Sequence, residues 1–340
     1  MKRSYFGRVL GLAAAACALL TGAGVTSAQP VNMVMVPVGD VGNAPDPATG
    51  SVYGSVNYAY NIGKYDVTAG QYVAFLNAVA KADPYGLYNS PMATAGYGQV
   101  ITQTGTSGSY SYAVTTNANF PVTCVTWGDA ARFCNWLTNG QPTTGGEGNG
   151  TTETGLYTLN GATTNTQLMA ITRNTGSGYA IPTENEWYKA AYYKGGGTNA
   201  GYWVYPTQSN TAPDNSLALA GTEANDANYY VGGYTDPAHY LTAVGTFAAS
   251  PSAYGTYDQG GDVWQWNEAN VSGSVRGLRG GSFSDGGVFS LESGNRIGGY
   301  PTDDDIRVGF RVSQVPEPAS LAILALGITG MLVRRRGEGR

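Results

Sequence analysis

The chain has 340 residues with a net charge of −5, and only 12% of its residues are charged, while it carries 50 glycines and 25 tyrosines. So little basic charge excludes a nucleic-acid groove, and a single histidine excludes any poly-His iron or zinc centre built within one chain. Three cysteines, one of them near the N-terminus, exclude a disulfide framework, so a packed core must hold the fold, and the length suffices for one.

At the N-terminus, Lys2, Arg3 and Arg8 precede an apolar run over residues 9–20, and Thr26-Ser27-Ala28 supplies small residues. That order predicts a cleaved export signal over residues 1–28, with Cys17 leaving with it. Three segments then share one helix-start chemistry, in which a Thr hydroxyl caps the backbone and an amide or acid three residues later reaches back. They begin at Thr68 with Gln71, at Thr126 with Asp129, and at Thr183 with Glu186. Tyr72, Phe75, Leu76 and Val79 follow the first at helical spacing, and Ala130, Phe133, Cys134 and Leu137 follow the second. An extended piece is expected before each helix, over residues 60–67, 121–125 and 179–181. Residues 139–166 and 195–228, rich in Gly, Asn, Thr and Ser, are expected to form long loops. No repeat of fixed period is visible, which excludes solenoids and propellers. At the C-terminus, Val315-Pro316-Glu317-Pro318 precedes an apolar run over 319–333 and then Arg334-Arg335-Arg336.

This tail resembles the PEP-CTERM sorting signal, which implies recognition by an exosortase and a membrane contact confined to residues 315–340. The expected setting is the cell surface or extracellular matrix of a Gram-negative-type bacterium. Between the two ends, several motifs in collinear order resemble the formylglycine-generating, or sulfatase-modifying factor, family. They include Gly63-Lys64-Tyr65-Asp66-Val67-Thr68, Val125-Thr126-Trp127-Gly128-Asp129-Ala130 and Ile181-Pro182-Thr183-Glu184-Asn185-Glu186-Trp187. Further on come Gly261-Asp262-Val263-Trp264-Gln265-Trp266, Leu278-Arg279-Gly280-Gly281-Ser282-Phe283 and Val308-Gly309-Phe310-Arg311-Val312. The resemblance implies a single compact, loop-rich α+β domain over residues 34–313, distantly related to C-type lectin folds. Within it Arg279, Arg296 and Arg311 are expected to hydrogen-bond loop carbonyls, with ordinary surface pairing as the alternative.

The family's oxidases convert a substrate Cys to formylglycine with a Cu(I)-binding cysteine pair, and that pair falls on Asp285 and Ser290 here. Neither a carboxylate nor a hydroxyl replaces thiolate for a soft Cu(I) ion, so copper is not expected and the family's oxidase chemistry is not supported. Cys124 and Cys134 read as buried small apolar residues, with a disulfide between them left open. The resemblance also implies a structural Ca²⁺ on loops, with Asp258, Gly261, Val263 and Gln265 as one ligand set and Asn228, Tyr229 and Asp236 as a second. Gln265 stands where the family commonly has Glu, which lowers the expected affinity by one charge. His239 reads as a loop histidine without a triad, and Asp303-Asp304-Asp305 as a solvated loop tip paired with Arg307. The functional expectation is a noncatalytic binding module for glycan or peptide ligands. An oxidase working without the usual cysteine pair is the alternative, and the pocket in front of residues 282–290 is where the two are to be told apart.

Overall fold

A computed structural model describes residues 30–94 and 100–315. The expected export signal and the sorting tail beyond Val315 lie outside the described residues. Among those residues, no helix is long and apolar enough to cross a membrane.

The three expected capping boxes are all formed. Helix α1 (Ala69–Val79) starts at Thr68 with Gln71, α2 (Trp127–Thr138) at Thr126 with Asp129, and α4 (Glu184–Tyr192) at Thr183 with Glu186. Each box satisfies two N–H groups that the first turn leaves without intrahelical partners. A fourth, Thr164 with Gln167, opens the short helix α3 (Asn165–Ala170), which starts inside the loop expected over 139–166. Its six residues bury only Leu168, too little apolar periodicity to show through the surrounding Thr and Asn.

The apolar faces of α1 and α2 meet in an aromatic cluster. Phe133 lies 5.3 Å from Phe75, 5.8 Å from Trp136 and 5.4 Å from Phe310, measured between ring centroids. Each such side chain contributes about 1.5–3 kcal/mol when taken fully out of water. Cys134 is buried in this cluster, and Cys124 is buried as a free thiol nearby in the same core. Burial holds the Cys124 thiol up at about 12. Cys124 departs from the expected extended piece, because its backbone turns left-handed (φ 59°) just before the Thr126 cap.

Around the helices, strands β1 (Met35–Val38), β2 (Tyr60–Gly63), β5 (Gly178–Ala180) and β10 (Ser313–Val315) form an antiparallel sheet in the order β1-β2-β10-β5. The hairpin β3 (Ile101–Thr104) and β4 (Ser111–Val114) packs on α1. A second four-stranded sheet has the order β8-β7-β6-β9, from β6 (Trp264–Asn270), β7 (Arg276–Arg279), β8 (Ile297–Gly299) and β9 (Val308–Gly309). Loops fill the rest, and buried arginines tie them together. Arg279, fully buried, donates to Glu184 (2.8 Å) and to the carbonyls of Ser293 (3.0 Å) and Asn295 (2.7 Å). Arg311, also fully buried, donates to the carbonyls of Gly63 (2.9 Å) and Tyr257 (2.8 Å). Arg296 pairs with the other Glu184 oxygen at 2.7 Å. Arg279 and Arg311 therefore act as the expected carbonyl donors, while Arg296 takes the ion-pair alternative.

Candidate ligand-binding groove

The second sheet makes the floor of a groove of about 360 Å³. Trp264 and Trp266 stand two residues apart on β6 and so project to one face. In register, Trp264 lies beside Val308, and Trp266 lies beside Leu278, which lies beside Ile297. All five side chains line the groove, and Trp266 is anchored from behind by its Nε1–H donating to the Val125 carbonyl (2.9 Å). One wall is the segment from Asp285 to Ser290; the other is the turn carrying Asp303, Asp305 and Arg307.

The two positions that would hold the oxidase cysteines face this groove, and each is committed to its own loop. Asp285 Oδ2 accepts from the Ser282 N–H and hydroxyl, both at 2.7 Å, closing a tight turn. Ser290 is 1% exposed and donates to the Gly287 carbonyl at 3.1 Å. A Cβ on Gly281 would stand 2.8 Å from Ser290 Oγ, so the loop backbone approaches this hydroxyl as closely as only glycine permits. No thiolate is present at either position.

Around the rim the chemistry is apolar and acidic. Phe289 is 59% exposed, and Ile297 and Tyr300 are also exposed. Asp303 Oδ2 accepts from the Tyr300 N–H at 2.8 Å; burial first, then Asp305 and Asp304, push its carboxyl above the usual range. Asp305 pairs with Arg307 at 2.6 Å and is held below that range by the bond. With Asp285, Asp303 and Asp305 against Arg307, the rim carries net negative charge. The Asp303–Asp305 run is thus a turn built on hydrogen bonds with the expected Arg307 pair, and it doubles as a groove wall.

The residues of the calcium expectation send their oxygens to several partners. Asp258, with a left-handed backbone (φ 59°), accepts the Gly245 N–H on Oδ2 at 2.7 Å, and burial raises its carboxyl to about 6. Gln265 Oε1 accepts from Arg311 Nε at 2.6 Å and from Trp187 Nε1 at 2.7 Å, while its amide donates to the Asp258 carbonyl at 2.7 Å. A divalent ion on that oxygen would sit against a guanidinium, so Gln265 does not fit the first ligand set. The Gly261 carbonyl accepts from the Val263 N–H at 2.9 Å. A Cβ on Gly261 (φ 83°) would meet the Asn228 carbonyl at 2.2 Å, which brings the two loops into contact. In the second set, Asn228 Oδ1 is buried with no hydrogen-bond partner, and the Tyr229 carbonyl accepts from Asn215 (3.1 Å) and Thr235 (3.3 Å). Asp236 is spent on its own turn and on His239. Among the described residues, no group of three or more His, Cys, Asp or Glu side chains is placed to hold a metal.

Sequence reading missed the exposed Phe289 and Ile297 as groove residues. An apolar residue on a Gly-rich loop carries no sign of which surface it faces until the sheet register is known.

Capped helices, buried arginines and a sheet-floored groove beside residues 285–290 thus belong to one mixed α+β domain. The chain belongs to the sulfatase-modifying factor family: the Sulfatase-modifying factor enzyme 1-like domain matches residues 23–315, and the PEP-CTERM protein-sorting motif matches residues 314–336. The protein is therefore exported and sorted to the cell envelope, through recognition by exosortase machinery. No curated protein matches the chain. Among solved structures it is similar to Treponema denticola variable protein 1, at 19% identity and a TM-score of 0.47, over 85% of this chain and 98% of that one. CarF is similar at 22% identity and a TM-score of 0.48, over 84% and 99%. PvdO from Pseudomonas aeruginosa is similar at 18% identity and a TM-score of 0.44, over 84% and 92%.

Proposed function

We propose that the protein is a noncatalytic binding module of the cell surface or extracellular matrix, and that its groove takes an extended peptide bearing a basic residue beside an apolar one. The observation that carries this reading is the commitment of Asp285 and Ser290 to their own loop, at the two positions where the oxidases need thiolates. Charge and shape favour a peptide over a glycan: the rim is acidic, its exposed side chains are apolar, and β8 is an edge strand among the described residues, the position to which an extended peptide adds a strand. A peptide library with Lys or Arg next to Phe, Leu or Ile tests it directly. Saturable binding that Phe289→Ala and Asp303→Asn both weaken supports the reading. Copper-dependent conversion of a Cys-containing sulfatase-type peptide to its aldehyde, read by mass spectrometry, would overturn it in favour of an oxidase.

Calcium enters as a proposal with a narrower donor set than the sequence suggests. In the first set the Asp258 carboxyl and in the second the partnerless Asn228 Oδ1 keep capacity for a cation, Gln265 being held by Arg311. A melting temperature that rises with added Ca²⁺ in the wild type, and no longer does so in Asp258→Asn, supports a bound ion. Indifference to both ion and chelator removes it.

A further inference from the structure

A second cleft, of about 530 Å³, shares no lining residue with the groove. It lies between the turn that follows β4 and the loop over residues 236–246, and at its edge stands His239, the one histidine in the chain. Two contacts fix the imidazole, and its carboxylate partner is held in turn. Nδ1 lies 2.9 Å from Asp236 Oδ2, the Asp236 Oδ1 accepts the N–H groups of Ala238 (2.9 Å) and His239 (3.2 Å), and the Phe120 ring stands 5.7 Å behind. Burial would raise the Asp236 carboxyl, but the His239 bond and the two N–H groups outweigh it and hold it below the usual range. With the carboxylate ionised, the proton of a neutral imidazole sits on Nδ1, and Nε2 presents its lone pair away from Asp236. The His239 side chain is 54% exposed, so the oriented nitrogen is open to a ligand.

The rest of the wall narrows what that ligand is. No Lys or Arg lines the cleft, so a phosphate or carboxylate would find no countercharge, and the one carboxylate is already saturated by its own turn. What remains is neutral hydrogen-bonding capacity beside apolar surface. Thr115 and Asn117 are exposed on the cleft, the Asn117 Oδ1 accepting from the Asn119 N–H (2.9 Å) so that its NH₂ edge is the part left to donate. Leu217, 38% exposed, supplies apolar surface opposite. Hydroxyls to donate and accept, and a C–H face to lay against carbon, are the properties of a sugar.

We propose that this cleft binds a neutral saccharide, with His239 Nε2 accepting from a sugar hydroxyl and Thr115 and Asn117 completing the contacts. It stands independently of the peptide groove. Because the chain has one histidine, a single imidazole signal in ¹H–¹⁵N NMR of the ¹⁵N-labelled protein reports the site without assignment. The probes are maltotriose, mannotriose and galactotriose, with a glucuronate-containing trisaccharide as the anionic control. At least one neutral trisaccharide is expected to shift Nε2 saturably. By calorimetry, its affinity is expected to fall about tenfold in His239→Ala and in Thr115→Val, the scale of one lost hydrogen bond, and to stay unchanged in Phe289→Ala. No saturable shift with any neutral trisaccharide, a response to the uronate alone, or unaltered affinity in both cleft variants overturns the proposal.

Discussion

The helix ends and the loop crossings of this domain satisfy their buried polar groups in opposite ways. In the first, Thr68, Thr126, Thr164 and Thr183 each close a helix end with a partner three residues on. In the second, arginines reach across the chain, Arg279 over 95 residues to Glu184 and Arg311 over 248 to the Gly63 carbonyl. A local device carries its own instructions and fails by itself. A long-range one holds several loops at once, so its loss leaves more than one buried group without a partner.

That difference sets the size of the expected effects. Arg279→Met should be the most damaging single change, about 3 kcal/mol, because two loop carbonyls stay buried without their donor and Glu184 is left with Arg296 alone. Urea unfolding of the variant checks it, and a loss near 1 kcal/mol would show that the arginine is no more than another cap. Thr126→Ala, which removes a cap without stranding a charge, should cost about 1 kcal/mol in the same assay.

The pH response tests the comparison at a finer scale. Burial raises Asp258 in a loop to about 6 and Asp129 in the α2 cap to about 7. A carboxyl whose folded pKa lies above its unfolded value near 4 adds stability that is complete below pH 4 and lost as the pH climbs through the folded value. The melting temperature should therefore rise as the pH falls from 7.5 to 5. Asp258→Asn should flatten the part of that rise near pH 6 and leave the part near pH 7. Glu186 works the other way: burial opposes its charge, but the Arg173 pair at 2.9 Å outweighs it and lowers its pKa, so its contribution is lost only in stronger acid. The smallest effect on stability, within about 0.5 kcal/mol, is expected for Phe289→Ala, whose side chain is largely in solvent. Its consequence belongs to peptide binding, and a large drop in melting temperature would show that the ring is scaffold after all.

How far the sequence could be read follows the same division. Thr68 with Gln71 and Thr126 with Asp129 were legible because a capping box and its helical periodicity lie within a dozen residues. The Asp285 and Ser290 positions were legible through the family motif beside them, though their hydrogen bonds were not. Ligands that meet only when distant loops pack were out of reach. Gln265 looked like a free oxygen donor from its neighbours, and only the return of Arg311, 46 residues later, shows where that oxygen goes. Helix α3 escaped because its apolar residues, Leu168, Met169 and Ala170, fall in one short run without helical spacing. The Asp236–His239 pair was within reach, since an Asp three residues before a His in a turn is a local pattern, but nothing in the sequence shows the cleft beside it.

Strand β10 closes the domain from an inner position, paired on one side with β2 and on the other with β5, although it is formed by the last described residues, Ser313–Val315. Because β10 is the last strand in chain order, whatever folds before it is available lacks the inner strand of this sheet. Until then β2 and β5 have no partner between them, and the first sheet cannot be completed however early the helices form. The strand that closes this sheet and the match to the sorting motif share residues 314 and 315, so a substitution there touches the fold and the address together.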